Sequence, residues 1–285
     1  MTPLSHDKNH CHRIWLYMVR QTGKSRLKSS VCCRMPLTAS PVTSAFFPLS
    51  MTNDTMVVAT FPVEAALCFP PSWLSQQEIT RRDMYRLPAD RNRHQAAHTL
   101  KRWLLAGLLD LHPADLAFKV DANGKPSLPH GNLHFNISHS GQHVVIAVRA
   151  ENPVGIDVEE RPPSDTILPW SILCHAQDII EGDINDFLAL WTVKEAIAKC
   201  SGEGLGLDFT RLSLHRDSDI SMRGCDGLRQ WHVLHTILDE GAHIAVASVD
   251  PWQQTYWLSA NMRDDRNKAS MMLTIKKLQP RMAGV

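Results

Sequence analysis

The chain has little that would tie it to a membrane, an oxidising compartment or a nucleic acid. No apolar run approaches the roughly 18 residues a membrane span requires, and none is followed by a signal-peptidase pattern. The seven cysteines are scattered and odd in number, with no Cys-x-x-Cys pair, so neither a disulfide framework nor a zinc knuckle is indicated. A reducing, cytoplasmic setting fits. Neither sign of charge is in excess: 30 Lys plus Arg against 29 Asp plus Glu leaves a net charge of +1, which argues against a broad electrostatic footprint for nucleic acid or an anionic membrane. An anionic ligand must be met by a local cluster. Gly-x-Ser-x-Gly is also missing, and with it the strand, elbow and helix of a serine hydrolase.

What is present suits a soluble globular protein: 285 residues, 44% of them hydrophobic, give room for one large domain or two half-sized lobes with real cores. Residues 1–55 have no helical or strand period and read as a disordered extension. His10, Cys11 and His12 lack a second ligand pair at zinc spacing, so a solvated tail is the simpler reading. Met51 and Met56 are equally placed as natural starts.

Order begins near Val57 with a strand, then a helix opened by Ser75 with Glu78 at the capping-box position. A longer helix follows from about Arg91 to Leu109, burying Ala96, Leu100, Trp103, Leu104 and Leu108 at three-and-four spacing. Its other face carries Arg93, Lys101 and Arg102. Strands are expected at Leu116–Val120, His134–Ile137, Val144–Val148 and Val154–Val158, with a turn at Asn123-Gly124. A helix over Asp186–Cys200 ends at Gly202, Gly204 and Gly206. Phe209–His215, Trp231–Leu238 and the strand opened by His243 then repeat the plan of the first half. The expectation is α+β: two similar lobes, 56–150 and 151–250, each a long helix on a small antiparallel sheet, followed by a polar, basic tail over 251–285.

Four features carry chemistry. In Gly155-Ile156-Asp157-Val158-Glu159, alternate residues of a strand point the same way, so Asp157 and Glu159 project together. Such a pair is tolerable either as a solvated strand end or with a hard cation between the carboxylates, and from these residues alone the solvated strand end is the simpler reading, since Asp-x-Glu is common. In Trp191-Thr192-Val193-Lys194-Glu195-Ala196-Ile197-Ala198-Lys199, Glu195 and Lys199 lie one turn apart, either as a surface ion pair or as a site beside Trp191. Phe135-Asn136-Ile137-Ser138-His139-Ser140-Gly141 puts hydroxyls and an imidazole at a turn suited to phosphate, although a lone His there is more often structural. Gly124-Lys125-Pro126 pins one lysine in direction.

Taken together and in order, with the Gly-x-Gly-Leu that follows the helix, these motifs resemble the surfactin-synthetase-activating type of 4'-phosphopantetheinyl transferase, over roughly Ser72 to Ser248. The resemblance implies a two-lobed pseudo-dimer in one chain, acting as a monomer, with coenzyme A in the cleft as substrate. It implies transfer of the 4'-phosphopantetheine arm to a serine of an acyl or peptidyl carrier protein, releasing 3',5'-ADP. By resemblance, Asp157, Glu159 and Glu195 hold Mg2+, with Mn2+ as an alternative. Lys199 contacts the phosphates, Lys125 and His139 the 3'-phosphate end and Ser138 the diphosphate; Arg93 faces coenzyme A, and Glu195 is also the candidate base. Where many relatives carry Phe-Phe and a glutamate, this chain has Ile172 to Asp178, leaving Asp178 as a substitute acid or no acid at all. Arg81 and Arg82 stand where some relatives are lysine-rich, and with Arg86 they are candidates for meeting an acidic carrier. The alternatives are a degenerate protein that binds coenzyme A or a carrier without transfer, and a metal-dependent phosphohydrolase.

Overall fold

Strands with both faces buried organise the molecule. In the computed structural model the described residues are 51–121, 124–178, 182–238, 240–265 and 268–278, together with 17–18 and 30–35. In chain order the strands are β1 (Tyr17–Met18), β2 (Ser30–Met35), β3 (Thr55–Pro62), β4 (Lys119–Val120), β5 (Pro126–Ser127), β6 (Leu133–Ser140) and β7 (His143–Ala150). They continue as β8 (Val154–Glu159), β9 (Ser213–Arg216), β10 (Ser221–Cys225), β11 (Gln230–Ile237), β12 (His243–Ser248), β13 (Gln254–Asp265) and β14 (Lys268–Leu278). The helices are α1 (Val63–Ala66), α2 (Gln76–Asp83), α3 (Pro88–Leu109) and α4 (Ile184–Ser201).

One sheet runs β1-β2-β14-β13-β3-β7-β6, a second β8-β12-β11-β10-β9, and β4 and β5 form a small ribbon. The class is α+β. In β7 alternate residues serve two cores: Val144, Ile146 and Val148 pack under α3, while Val145 and Ala147 pack against the second sheet. β12 does the same, with Ala245 and Ala247 under α4 and Ile244 and Val246 between the sheets. Such strands read as unbroken apolar runs because neither face meets water. β3-β7-β6 and β8-β12-β11 share one spatial order, first strand, last strand, strand before last, and a long helix follows the first strand in each.

The helix signals act as read. Ser75 Oγ accepts from the Glu78 N–H, and a Glu78 carboxylate oxygen accepts from the Ser75 N–H, closing the capping box. α3 starts three residues earlier than its apolar period, at Pro88, whose missing N–H suits the first helical position. Asp183 caps α4 and Gly202, left-handed at φ 81°, ends it.

Several expectations are corrected. Lys101 and Arg102 are not on an open face of α3: each is 1% exposed, because the Glu78 carboxylate pairs with both. Phe209–His215 is a strand only from Ser213, since Asp208 caps a short 3-10 turn over Phe209–Arg211. Leu116–Val120 shortens to Lys119–Val120. β10 was not expected. The first sheet is larger than foreseen and not wholly antiparallel, for β13 runs parallel to β3. Residues 251–285 therefore include a sheet hairpin: Leu258, Ala260, Met271 and Leu273 enter the first core from sequence too polar overall to announce it. Of the 1–55 extension, most lies outside the described residues, as do His10, Cys11, His12 and Asn123; its strands 17–18 and 30–35 pair at the sheet edge.

β8 positions the site. Val154, Ile156 and Val158 enter the core between the sheets, so Gly155, Asp157 and Glu159 share the other face. A Cβ built at Gly155 would stand 2.0 Å from the Ala196 carbonyl oxygen and 2.4 Å from the Cys200 nitrogen. Only glycine lets α4 come this close to the strand. We expect Gly155→Ala to destabilise the protein by about 3 kcal/mol in urea unfolding, the upper part of the usual overpacking range; a change below about 1 kcal/mol would contradict the close approach.

Candidate active site

Three alternate residues of β6 stitch the first sheet to β8. Asn136 Oδ1 accepts from the Ile156 N–H at 3.0 Å, Ser138 Oγ donates to Asp157 Oδ1 at 2.8 Å, and Ser140 Oγ donates to Glu159 Oε2 at 2.9 Å. From the other side α4 supplies Lys199, whose Nζ lies 2.5 Å from Asp157 Oδ1 and 3.0 Å from Ser138 Oγ. A cavity of about 400 Å³ opens here, lined by His98, Ile137, Ser138, His139, Asp157, Glu159, Trp191, Glu195 and Lys199. Six of the eight residues singled out from the sequence line it.

Two do not. Lys125 follows the turn that Asp121 closes on the Gly124 and Lys125 N–H groups, but its Nζ donates to the Lys199 carbonyl at the end of α4. Arg93 pairs with Asp90 and donates to the Gly141 carbonyl. Asp178 supplies no extra acid either: it pairs with the buried Lys194 Nζ at 2.7 Å, which also holds the Leu173 and Phe209 carbonyls. Among residues the sequence did not single out, Asn136 and Ser140 were legible from their period-two spacing with Ser138. His98 was legible only as one turn beyond His94 on α3.

The electrostatics are unbalanced. Asp157 is 2% exposed, and its Oδ2 has no hydrogen-bond partner among the described residues. Burial, and then the charge of Asp157, push the Glu159 pKa up to about 7 against hydrogen bonds from Ser140 and Trp191. Burial raises Glu195 too, with Asp157 adding and Lys199 opposing. His139 is pushed down by desolvation and by the positive charges of Arg93 and Lys199. Three carboxylates thus face a single lysine. In the arrangement described, no group of three His, Cys, Asp or Glu side chains is set to hold a metal ion among the described residues. The donor chemistry still fits a hard cation: all-oxygen, buried, with one carboxylate oxygen unpartnered.

The sequence matches two known families. The 4'-phosphopantetheinyl transferase superfamily matches residues 153–247, and the family described as 4'-phosphopantetheinyl transferase, N-terminal, matches residues 61–151. The two matches meet between β7 and β8. Among individual proteins, the chain is 30% identical over 200 residues to 4'-phosphopantetheinyl transferase HetI of Nostoc sp., covering 65% of this chain and 82% of that one. It is 29% identical over 171 residues to 4'-phosphopantetheinyl transferase Sfp of Bacillus subtilis, covering 57% and 76%. With 4'-phosphopantetheinyl transferase psf-1 of Bacillus pumilus the identity is 30% over 190 residues, covering 63% and 80%.

Because the folded pKa of Glu159 lies above the ordinary glutamate value, the folded state holds that proton more tightly than the unfolded chain. The stability so conferred is complete below the ordinary value and is lost as pH rises to about 7. Glu159→Gln removes the ionisation. Its stability relative to the unaltered protein should therefore rise by about 1–2 kcal/mol between mildly acid and mildly alkaline pH, in chemical denaturation without divalent cations. A gap independent of pH would contradict the assignment.

Proposed function

Since the chain belongs to the 4'-phosphopantetheinyl transferase superfamily and transfers the phosphopantetheine arm of coenzyme A to a carrier protein, we propose that the cavity between β6, β8 and α4 is where the transfer takes place. The observation that carries this is the buried, half-partnered Asp157 beside Glu159 and Glu195, with Lys199 the one lysine on the same wall. Asp157, Glu159 and Glu195 would hold Mg2+. When bound, that ion would offset the negative charge of the coenzyme A diphosphate.

The chain's own residues do the rest. Lys199 directs its ammonium at the phosphoryl oxygens, exchanging part of its hold on Asp157 for them. His139 and Lys125 take the 3'-phosphate end, Lys125 leaving the Lys199 carbonyl, and Arg93 turns from Gly141 towards the same region. Ser138 holds the diphosphate side through its hydroxyl. Glu195, on the cavity wall one turn before Lys199, takes the proton of the carrier serine. The serine oxygen attacks the β-phosphorus, its bond to the leaving phosphate breaks, and 3',5'-ADP departs.

The two halves read as repeats of one unit, supported by their common strand order. One chain supplies both walls of the cavity, so it acts as a monomer, in the cytoplasm. The client is an acyl or peptidyl carrier protein.

The test is intact-protein mass spectrometry of a panel of apo carrier proteins incubated with the chain, coenzyme A and Mg2+. One phosphopantetheinyl group should be added per carrier. Chelation of the metal should abolish the gain, and Asp157→Asn or Lys199→Met should slow it by about 10²–10³-fold. Coenzyme A bound with no carrier modified, or coenzyme A cleaved without a carrier present, would overturn the reading.

A further inference from the structure

A buried ion cluster lies behind the cavity and has no part in these steps. Glu78, Lys101 and Arg102 are all buried. Lys101 Nζ donates to Glu78 Oε1 at 2.6 Å, and Arg102 Nε donates to Glu78 Oε2 at 2.7 Å. Among the described residues, the ion pairs of Lys101 and Arg102 are both with this carboxylate. Two buried cations thus share a single anion. Arg102 Nη1 also donates to the Pro113 and Leu116 carbonyls, and Lys101 Nζ lies 3.9 Å from the centre of the Phe118 ring. Those contacts satisfy the donors without supplying a negative charge. The cluster is left with a surplus of one positive charge, and a surplus of buried charge is costly unless something anionic meets it.

The neighbouring groups leave that surplus in place. Burial alone would raise the Glu78 carboxyl, but its contacts with His98 and Lys101 hold it well below the ordinary range, so it is ionised. Burial lowers the Lys101 ammonium to about 8 against the pull of Glu78, so it is charged at neutral pH. Burial, and then the Lys101 charge, push His98 down to about 3, and burial lowers His94 as well; both rings are neutral, whichever nitrogen carries the proton. The His98 ring joins the cluster to the cavity: Lys101 Nζ lies 3.1 Å from its Nδ1, and the same ring lines the cavity with Ile137 and His139. The cavity is therefore polarised. β8 and α4 bring three carboxyl groups against one lysine, whereas α3 carries the positive surplus behind His98. A phosphate that carries no metal is repelled by the first wall and drawn to the second, through a region where burial leaves little water to screen the field.

We propose that Lys101 is a positioning residue: the surplus positive charge it adds to the Glu78–Arg102 pair draws the metal-free 3'-phosphate of coenzyme A to the α3 wall, and so discriminates coenzyme A from its 3'-dephospho form. This rests on the cavity being the transfer site. Lys101 touches no substrate and acts through space from behind His98. Without its charge Glu78 and Arg102 remain as a balanced pair, so a neutral residue at this position strands no buried ion.

The experiment is calorimetric titration of the full chain with coenzyme A and with 3'-dephospho-coenzyme A, each in the presence of Mg2+ at neutral pH. The unaltered chain should bind coenzyme A the more tightly. Lys101→Met should weaken coenzyme A about tenfold and change the dephospho form by no more than about twofold, so that most of the preference disappears. Lys101→Gln, which keeps an N–H for Glu78, should give the same result and serves where the methionine variant does not fold. A merely structural role for Lys101 would weaken both ligands alike, and that result, or a preference unchanged in the variants, overturns the proposal. Equal affinity of the unaltered chain for the two ligands overturns it without any variant. Binding of neither ligand to the unaltered chain is a different failure: it overturns the assignment of the cavity, and the role of Lys101 with it.

Discussion

The buried carboxylate of Asp157 is the point on which the rest of the structure turns. It is reached by Ser138 from β6 and by Lys199 from α4, so a single side chain joins the first sheet, β8 of the second sheet and α4. Removing one partner of a buried charge leaves it uncompensated, at a cost of about 3–5 kcal/mol, whereas a fully paired Asp157 would have no capacity left for a ligand. The observed state lies between: Oδ1 is shared by two donors and Oδ2, among the described residues, by none. That imbalance holds the site together and leaves it reactive towards positive charge.

Other features make the junction possible. Gly155 removes the side chain that would separate α4 from β8, which brings Lys199 within reach of Asp157. At the far end Gly141, left-handed at φ 51°, turns β6 into β7 against the Glu160 carboxylate, which a Cβ would strike at 1.8 Å. Glu160 accepts from the Gln142 N–H and pairs with His143, closing the β6–β7 turn onto the strand end that carries Glu159. Close approaches at two glycines, to the α4 backbone at Gly155 and to the Glu160 carboxylate at Gly141, thus shape this region, and both lie in the motifs that carry the chemistry.

Much of this was legible in the sequence because the relevant signals are local. Period-two alternation put Asp157 and Glu159 on one face, one helical turn put Glu195 beside Lys199, and the capping box fixed the start of α2. What was not legible depends on partners distant in sequence. Nothing near Lys101 or Arg102 announces that Glu78 buries them, and nothing near Lys125 announces the Lys199 carbonyl it meets 74 residues later. Asp178 looked like a spare acid until Lys194 was seen to hold it. The β13–β14 hairpin was missed for the same reason: its few apolar residues acquire meaning only once β3 lies alongside.

If Mg2+ and coenzyme A bind at this cavity as proposed, the three carboxylates around Asp157, which share the charge of Lys199, gain the rest of their balancing charge from the metal, and the metal in turn favours the anionic diphosphate. Thermal unfolding with Mg2+ alone, with coenzyme A alone and with both tests it most directly. The joint stabilisation should exceed the sum of the two separate ones, and that excess should vanish in Asp157→Asn. Equal stabilisation by coenzyme A with and without Mg2+, or an excess that survives the substitution, would contradict the account.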